Sequence, residues 1–273
     1  MPTQAEKAEA FLTLHRAVGP LLMPNPWDIG SAKLLESLGF LALATTSGGF
    51  AASLGRPDGS VSRDEAITHG EAVASAVNVP VSADLENGFA DDPDGVAATI
   101  ALALGAGLAG CSVEDFSKNA DNPIYDIGLA RDRVAAAAEV AHRGPVHLVL
   151  TARAENLIRG RPDLDDTIAR LQAYQEAGAD VLFAPGLVDL DDIRRVVSSV
   201  DRPVNVLVRP DDPTVSELAE VGVARISVGS AFAWAALAGL VEAAQELLGP
   251  GTYGYWERSA VGRAAVRSAI APA

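Results

Sequence analysis

Short apolar runs alternate with longer amphipathic stretches about eight times along the chain, and this rhythm most restricts what the sequence can become. Runs at 21–24, 41–45, 79–83, 110–113, 146–151, 181–184, 204–208 and 225–228 have the length and apolar content of buried strands. Between them, 29–38, 64–77, 93–104, 130–141, 163–177 and 189–200 carry helical apolar spacing. Several of these stretches open on acidic residues, which suit a helix N-terminus. Gly39, Pro80, Gly107, Pro145, Gly178 and Pro203 stand just before the strand runs or at their start, as helix stops. Alternation of this kind builds a parallel sheet, and eight strands are what a closed barrel needs. A doubly wound open sheet usually carries a Gly-rich phosphate loop after its first strand, but here that strand runs into Pro24-Asn25-Pro26-Trp27-Asp28. The expected architecture is α/β: a (β/α)8 TIM barrel over 1–248, and a short C-terminal helical extension over 249–273. The Gly/Pro-rich break at 249–254 separates the two, and a terminal helix is expected at 257–270.

At 273 residues the chain can bury the core of one such barrel. Its net charge of −15 makes phosphate backbones and anionic lipid poor partners, so neither nucleic acid nor a membrane is expected. A small anionic substrate would need local cations or a metal. The single cysteine, Cys111, forms no intramolecular disulfide and falls inside the fourth apolar run, where it is expected as a packing residue. The N-terminal stretch lacks the apolar centre of a signal peptide, and no apolar run reads as long enough to span a membrane, so a cytoplasmic protein is expected.

The polar residues that break the pattern gather at the C-terminal ends of the strand runs, where TIM-barrel enzymes keep their active sites. They are Thr46-Ser47-Gly48-Gly49, Asp84-Leu85-Glu86-Asn87-Gly88, Glu114-Asp115 and Arg153-Ala154-Glu155. Strand alternation places Ser82, Asp84 and Glu86 on one face. If that face points inward, Asp84 and Glu86 meet Glu114 near the barrel axis. Carboxylates crowded there repel unless a cation neutralises them, and oxygen donors without Cys or His favour Mg²⁺ or Mn²⁺ over Zn²⁺. The alternative is that these acids solvate the strand ends or pair with arginine. Arg153 is placed to take a substrate carboxylate in bidentate fashion, or else to pair with Glu155 or Glu114. The Ser47-Gly48-Gly49 turn can offer backbone N–H groups to an anion.

Taken in order, Pro24 to Asp28, Thr46 to Gly49, Ser53-Leu54-Gly55-Arg56-Pro57-Asp58, Ala83 to Phe89, Val113-Glu114-Asp115 and Thr151-Ala152-Arg153 resemble the isocitrate lyase/phosphoenolpyruvate mutase superfamily. The resemblance spans nearly the whole chain. It implies a TIM barrel, terminal helices that are often exchanged between subunits, and a homo-oligomer, either dimer or tetramer. It also implies that Asp84 is the principal Mg²⁺ ligand, with Glu86 and Glu114 holding the metal or its waters. Ser47 and Gly48 would receive the substrate carboxylate with Arg153, Trp27 would line the pocket, and Asp58 would lie near the metal or the reacting group. The chain also departs from the lyases. The loop from Phe116 to Pro123 lacks the Cys of their Lys-Lys-Cys-Gly-His-type loop. The strand end Phe183-Ala184-Pro185-Gly186 lacks their Glu, and Leu207 stands where they have Asn. Asn119 and Asn122 match the Asn-bearing gating loop of the mutase side, or are ordinary turn residues. Lys118 either reaches the site or is solvated.

The expected activity is that of a lyase or hydrolase. It would cleave a carbon–carbon bond beside the oxo carbon of a small oxo- or hydroxy-dicarboxylate, through a metal-stabilised enolate. Asp58, Glu114 and Arg153 are the expected catalytic residues. A carbon–phosphorus enzyme and a catalytically silent metabolite-binding barrel are the alternatives.

Overall fold

The computed structural model describes residues 1–270, so 271–273 of the C-terminal extension lie outside the described residues. Eight parallel strands form one sheet: β1 (Leu21–Met23), β2 (Leu43–Ala44), β3 (Val81–Asp84), β4 (Gly110–Glu114), β5 (Val149–Arg153), β6 (Val181–Phe183), β7 (Val204–Leu207) and β8 (Arg225–Ser227). From β2 to β8 each strand pairs with the next in sequence, and β8 returns to β1 with Ile226 opposite Leu22. At the remaining seam the Ala44 N–H donates to Pro24 O at 3.1 Å, and Asn25 Nδ2 donates to Thr45 O at 3.1 Å. The same Asn25 accepts from the Val228 and Gly229 N–H groups at 3.1 and 2.9 Å. One amide thus laces β1, β2 and the end of β8 into a closed (β/α)8 barrel.

Around the strands lie α1 (Gln4–Leu14), α2 (Ile29–Ser37), α3 (Ser47–Ser53), α4 (Arg63–Ala76), α5 (Pro93–Gly105), α6 (Ile127–Ala141), α7 (Leu164–Glu176), α8 (Leu190–Ser198), α9 (Val215–Glu220), α10 (Ala231–Leu248) and α11 (Tyr255–Ile270). The acidic starts legible in the sequence are N-caps: Asp163 accepts from the Asp165 and Asp166 N–H groups, and Asp189 from those of Asp191 and Asp192. Such caps are each worth about 1 kcal/mol. Apolar periodicity does not announce α1, α3, α9 or α10. Helix α3 is short and Gly-rich, α9 is six residues long, and α10 is apolar nearly all round. By length and composition α10 would pass for a membrane span, which corrects the expectation that no run is long enough. In the fold it follows β8, and its Glu246 accepts from the Thr252 hydroxyl and the Tyr255 N–H to form the turn into α11. α11 packs against α2.

Helix α1 plugs the N-terminal end of the barrel. Phe11 is fully buried against Leu21, Ala109, Val149 and Val181. A Cβ at Gly110 would stand 2.7 Å from the Phe11 ring and 2.8 Å from Val149 O, so only glycine fits beneath the plug. Cys111 is buried in the main core, and loss of hydration pushes its thiol up to about 12, as suits a packing residue.

Two histidines, one buried and one half-buried, are neutral. At the end of α1, His15 Nδ1 donates to Phe11 O at 2.7 Å and Nε2 accepts from Arg225 Nη1 at 3.2 Å. Burial, then the Arg225 charge, draws its pKa down to about 3. On α4, His69 stacks on Phe50 with ring centroids 3.8 Å apart, and burial draws it down to about 4. A histidine whose folded pKa is depressed is protonated first in the unfolded chain. Its contribution is therefore complete above the unfolded pKa of about 6.5 and is lost as pH falls toward the folded value. The melting temperature should fall as pH drops from about 6.5 to about 4. His69→Phe keeps the stack and removes the titration, so its melting temperature should fall less over that range. Parallel curves for the two proteins would show that His69 is not held neutral.

Candidate active site

The C-terminal mouth of the barrel holds a cavity of about 200 Å³ whose wall includes Ser47, Asp58, Asp84 and Arg153. A recess of about 270 Å³ adjoins it, sharing Ser47, Asp58 and Arg153 and adding Glu86, Glu114 and Lys118. Six of the expected site residues, Ser47, Asp58, Asp84, Glu86, Glu114 and Arg153, therefore collect here, with Gly48 directly behind the wall. A Cβ at Gly48 would meet Ser230 Oγ at 2.9 Å and the Asp58 carboxyl carbon at 3.3 Å, so any larger residue there would push the Ser230 and Asp58 side chains aside. Trp27 lines neither cavity. It lies ahead of α2, its N–H donating to Ser31 Oγ at 3.1 Å, and its Cβ faces Gly49.

Asp84 ends β3 and is anchored from three sides. Its N–H donates to Thr45 Oγ1 at 2.9 Å, and its carboxylate accepts from the Ser47 and Glu86 N–H groups at 3.2 Å each. Ser47-Gly48-Gly49 is the first turn of α3 rather than a free-standing turn, capped by Thr46. The Ser47 N–H is thus committed to Asp84, while the Gly48 N–H has no acceptor within the helix.

The expected strand face of Ser82, Asp84 and Glu86 stops at Asp84. Glu86 lies beyond β3 in a left-handed turn, φ 48°, a conformation costly for a residue with a Cβ. That turn, and not strand alternation, brings its buried carboxylate to Lys118 Nζ. Burial raises the Glu86 pKa against the opposing Lys118, with Asp84 and Asp58 raising it further. Lys118 is itself left-handed, φ 61°, and passes over the Phe89 ring, so it reaches the site. Asn119 and Asn122 are exposed turn residues: Asn119 Oδ1 accepts from the Asp121 N–H at 2.9 Å, and Asn122 O accepts from Ser117 Oγ.

Glu114 and Arg153 are opposed across β4 and β5. Arg153 Nη1 lies 3.3 Å from Glu114 Oε2, its Nε donates to Glu155, and its guanidinium faces the Phe183 ring. Arg159 donates to the other Glu155 oxygen at 2.9 Å and stacks on Phe116 at 3.7 Å. Burial pushes the Glu114 pKa well up, Arg153 opposes it, and Glu155 and Asp84 add to the rise. Burial alone would lower Arg153, but Glu114, Glu155 and Asp84 hold it above its ordinary value. Both pairings considered for Arg153 are present, and it still forms part of both cavity walls. Asp115, the next residue, points outward and accepts from Arg170 and Tyr174 of α7.

Asp84, Glu86 and Glu114 do not converge tightly enough to share one ion directly. Among the described residues, His142, His147 and Asp180 do, at the opposite end of the barrel. There each Nε2 bonds a different Asp180 oxygen, at 3.0 and 2.9 Å, and the rings stack 13° from parallel with centroids 4.1 Å apart. Near-parallel rings cannot both aim a lone pair at an ion about 2 Å away. This group is a hydrogen-bonded brace. Sequence reasoning missed Arg225, Asn205 and Ser227, which also line the main cavity. Their signal was a polar residue at alternate positions of otherwise apolar strands.

Residues 11–248 match the phosphoenolpyruvate phosphomutase family. A solved protein of Burkholderia cenocepacia J2315, provisionally designated a lyase/mutase, superposes with a TM-score of 0.95 at 49% identity, covering 98% of this chain and 97% of that one. A crystal structure of 2,3-dimethylmalate lyase superposes with a TM-score of 0.86 at 25% identity, over 99% and 96% of the two chains. The 2-methylisocitrate lyase of Escherichia coli (strain K12) is 30% identical over 205 residues, 72% of this chain and 68% of that protein. The chain belongs to the phosphoenolpyruvate phosphomutase family and is a lyase-type enzyme of the isocitrate lyase/phosphoenolpyruvate mutase superfamily.

Proposed function

We propose that the protein is a metal-dependent lyase or hydrolase that cleaves a carbon–carbon bond beside the oxo carbon of a small oxo- or hydroxy-dicarboxylate. The observation that carries this reading is charge. Five carboxylates, Asp58, Asp84, Glu86, Glu114 and Glu155, crowd one mouth against Lys118, Arg153 and Arg159, with Arg225 as a further cation at the cavity floor. A divalent cation would relieve the repulsion among those carboxylates, and an all-oxygen donor set fits Mg²⁺, or Mn²⁺, better than Zn²⁺. Asp84 would hold the ion, with Glu86 and Glu114 bonding its water shell, since they lie too far apart to bind it jointly. When bound, Mg²⁺ supplies the positive charge that stabilises an enolate. The Gly48 N–H and Arg153 fix the substrate carboxylate, the Phe183 ring limits water beside Arg153, and Asp58 stands at the rim as the candidate group for proton transfer.

Compact dicarboxylates fit this cavity better than isocitrate. Phe183 and Leu207 present apolar surface at the ends of β6 and β7, where the strand-6 end lacks the Glu of the resembled lyases and Leu207 replaces their Asn, so a third carboxylate would go unpaired there. A panel assayed with Mg²⁺ for release of pyruvate, oxalate or glyoxylate should favour oxaloacetate or substituted malates over isocitrate by about a hundredfold or more. In the same assay Asp84→Ala should lose both turnover and Mg²⁺ binding by calorimetry while keeping its circular dichroism. Full activity in that variant would sink the metal assignment. Phosphate release from phosphonopyruvate as the best activity would replace the reading with carbon–phosphorus cleavage.

Arg153→Lys keeps the charge but loses the planar fork that meets a carboxylate with two parallel bonds. Oxalate affinity should drop about tenfold or more. Equal affinity in variant and wild type would leave Arg153 as a partner of Glu114 and Glu155 only.

We also propose a homo-oligomer, dimer or tetramer, covering α10 and the C-terminal extension. Trp234, Leu237, Leu240 and Val241 of α10 are 42–64% exposed on one helix, with Trp256 of α11 nearby in sequence at 54%. An apolar face of this extent is characteristic of an interface. Sedimentation should show dimers or tetramers at micromolar concentration, and Leu240→Asp should weaken them. A monomeric wild type would refute the proposal.

A further inference from the structure

Arg225 opens β8 with its side chain inside the barrel, 2% exposed, and forms part of the wall of the main cavity. Its Nε donates to Asn205 Oδ1 at 2.9 Å, its Nη2 to Thr151 Oγ1 at 3.1 Å and its Nη1 to His15 Nε2 at 3.2 Å. An amide, a hydroxyl and a neutral imidazole are all uncharged. Among the other buried or half-buried arginines, Arg153 rests on Glu114 and Glu155, and Arg170 on Asp115 and Asp166. Arg133 of α6 also has no carboxylate, but it rests on the Asn87 and Asp91 carbonyls and the Tyr125 ring, away from the main cavity, whereas Arg225 faces open space. A guanidinium carries five N–H donors, so two remain beyond these three bonds. Burial without a carboxylate nearby draws the Arg225 pKa down to about 9, still well above neutrality, so the group stays charged. A buried, unbalanced cation is costly to maintain unless an anion comes to it.

The surroundings form a way in. Ser82, Ser227 and Asn205 line the cavity between the mouth and Arg225, and Asn205 Nδ2 donates to Ser227 Oγ at 3.0 Å. Thr151, the partner of Arg225, is two residues below Arg153 on the same face of β5, which sets the two levels roughly 7 Å apart. A four-carbon dicarboxylate with a hydrogen bond at each end spans such a gap. We propose that Arg225 receives the second carboxylate of the substrate at the floor of the cavity, while Arg153 and the Gly48 N–H hold the first at the mouth. The assignment rests on the dicarboxylate reading above. It makes Arg225 the residue that selects dianions over monoanions.

Malate and lactate test this directly, because both are 2-hydroxy acids and lactate lacks the second carboxylate. By calorimetry with Mg²⁺, wild type should bind malate about tenfold or more tighter than lactate. Arg225→Met should erase that preference, leaving lactate affinity within about twofold, and Arg225→Lys should restore part of it. An equal loss for both ligands would make Arg225 a tether of α1 through His15 and overturn the proposal, as would a wild type without preference. If Arg225→Met does not fold, a wild-type crystal soaked in malate decides. A carboxylate within hydrogen-bonding distance of Arg225 is expected, and both carboxylates at the mouth would refute the assignment. Binding alone is read, so failure of every compound in the turnover panel would remove the proposed reaction and leave this result standing.

Discussion

The mouth of this barrel is organised by the buried Arg153 guanidinium. It sits between Glu114 and Glu155, and with Arg159 it forms a chain of alternating charge along the ends of β4 and β5. Removing Arg153 would leave two carboxylates facing each other across a poorly hydrated gap, and removing either acid would leave Arg153 with a single partner. The same two strand ends carry Asp115 outward, where it accepts from the Glu155 N–H at 2.8 Å and from Arg170 and Tyr174 of α7. The inner charges and the outer helix layer are therefore fixed by adjacent residues. A shift of either one disturbs both.

Strain at the strand ends serves the same arrangement. Glu86, Phe89 and Lys118 all adopt positive φ without being glycine. The backbone cost of two of these residues is offset locally by the ion pair between the Glu86 and Lys118 side chains, beside the Phe89 ring. Asp84, by contrast, sits in regular strand geometry with two N–H donors on its carboxylate. Its carboxylate is fixed by backbone N–H groups rather than by an ion pair.

Much of the site was legible because a barrel places its strand ends together. Asp84, Glu114 and Arg153 broke an apolar pattern at the ends of three successive strand runs, so their proximity followed once the barrel was accepted. Glu86 was placed correctly at the mouth for the wrong reason, since strand alternation does not extend past Asp84. Trp27 was expected in the cavity wall, but its position depends on how the turn after β1 enters α2, and no local pattern reports that. Arg225 was hidden because a single arginine in a short apolar run reads the same whether it points into a barrel or out to solvent.

The sequence by itself determined the eightfold strand–helix order, the acidic helix caps and the position of the main carboxylates at strand ends. These depend on local periodicity and on capping chemistry within a few residues. Only the tertiary structure decided which charges pair, that Ser47 serves Asp84, and that Arg225 lies buried among neutral partners. Each of those outcomes joins residues distant in sequence, such as Arg225 with His15 and Thr151. Their energies depend on burial and on the direction of individual side chains, which are set when the sheet closes.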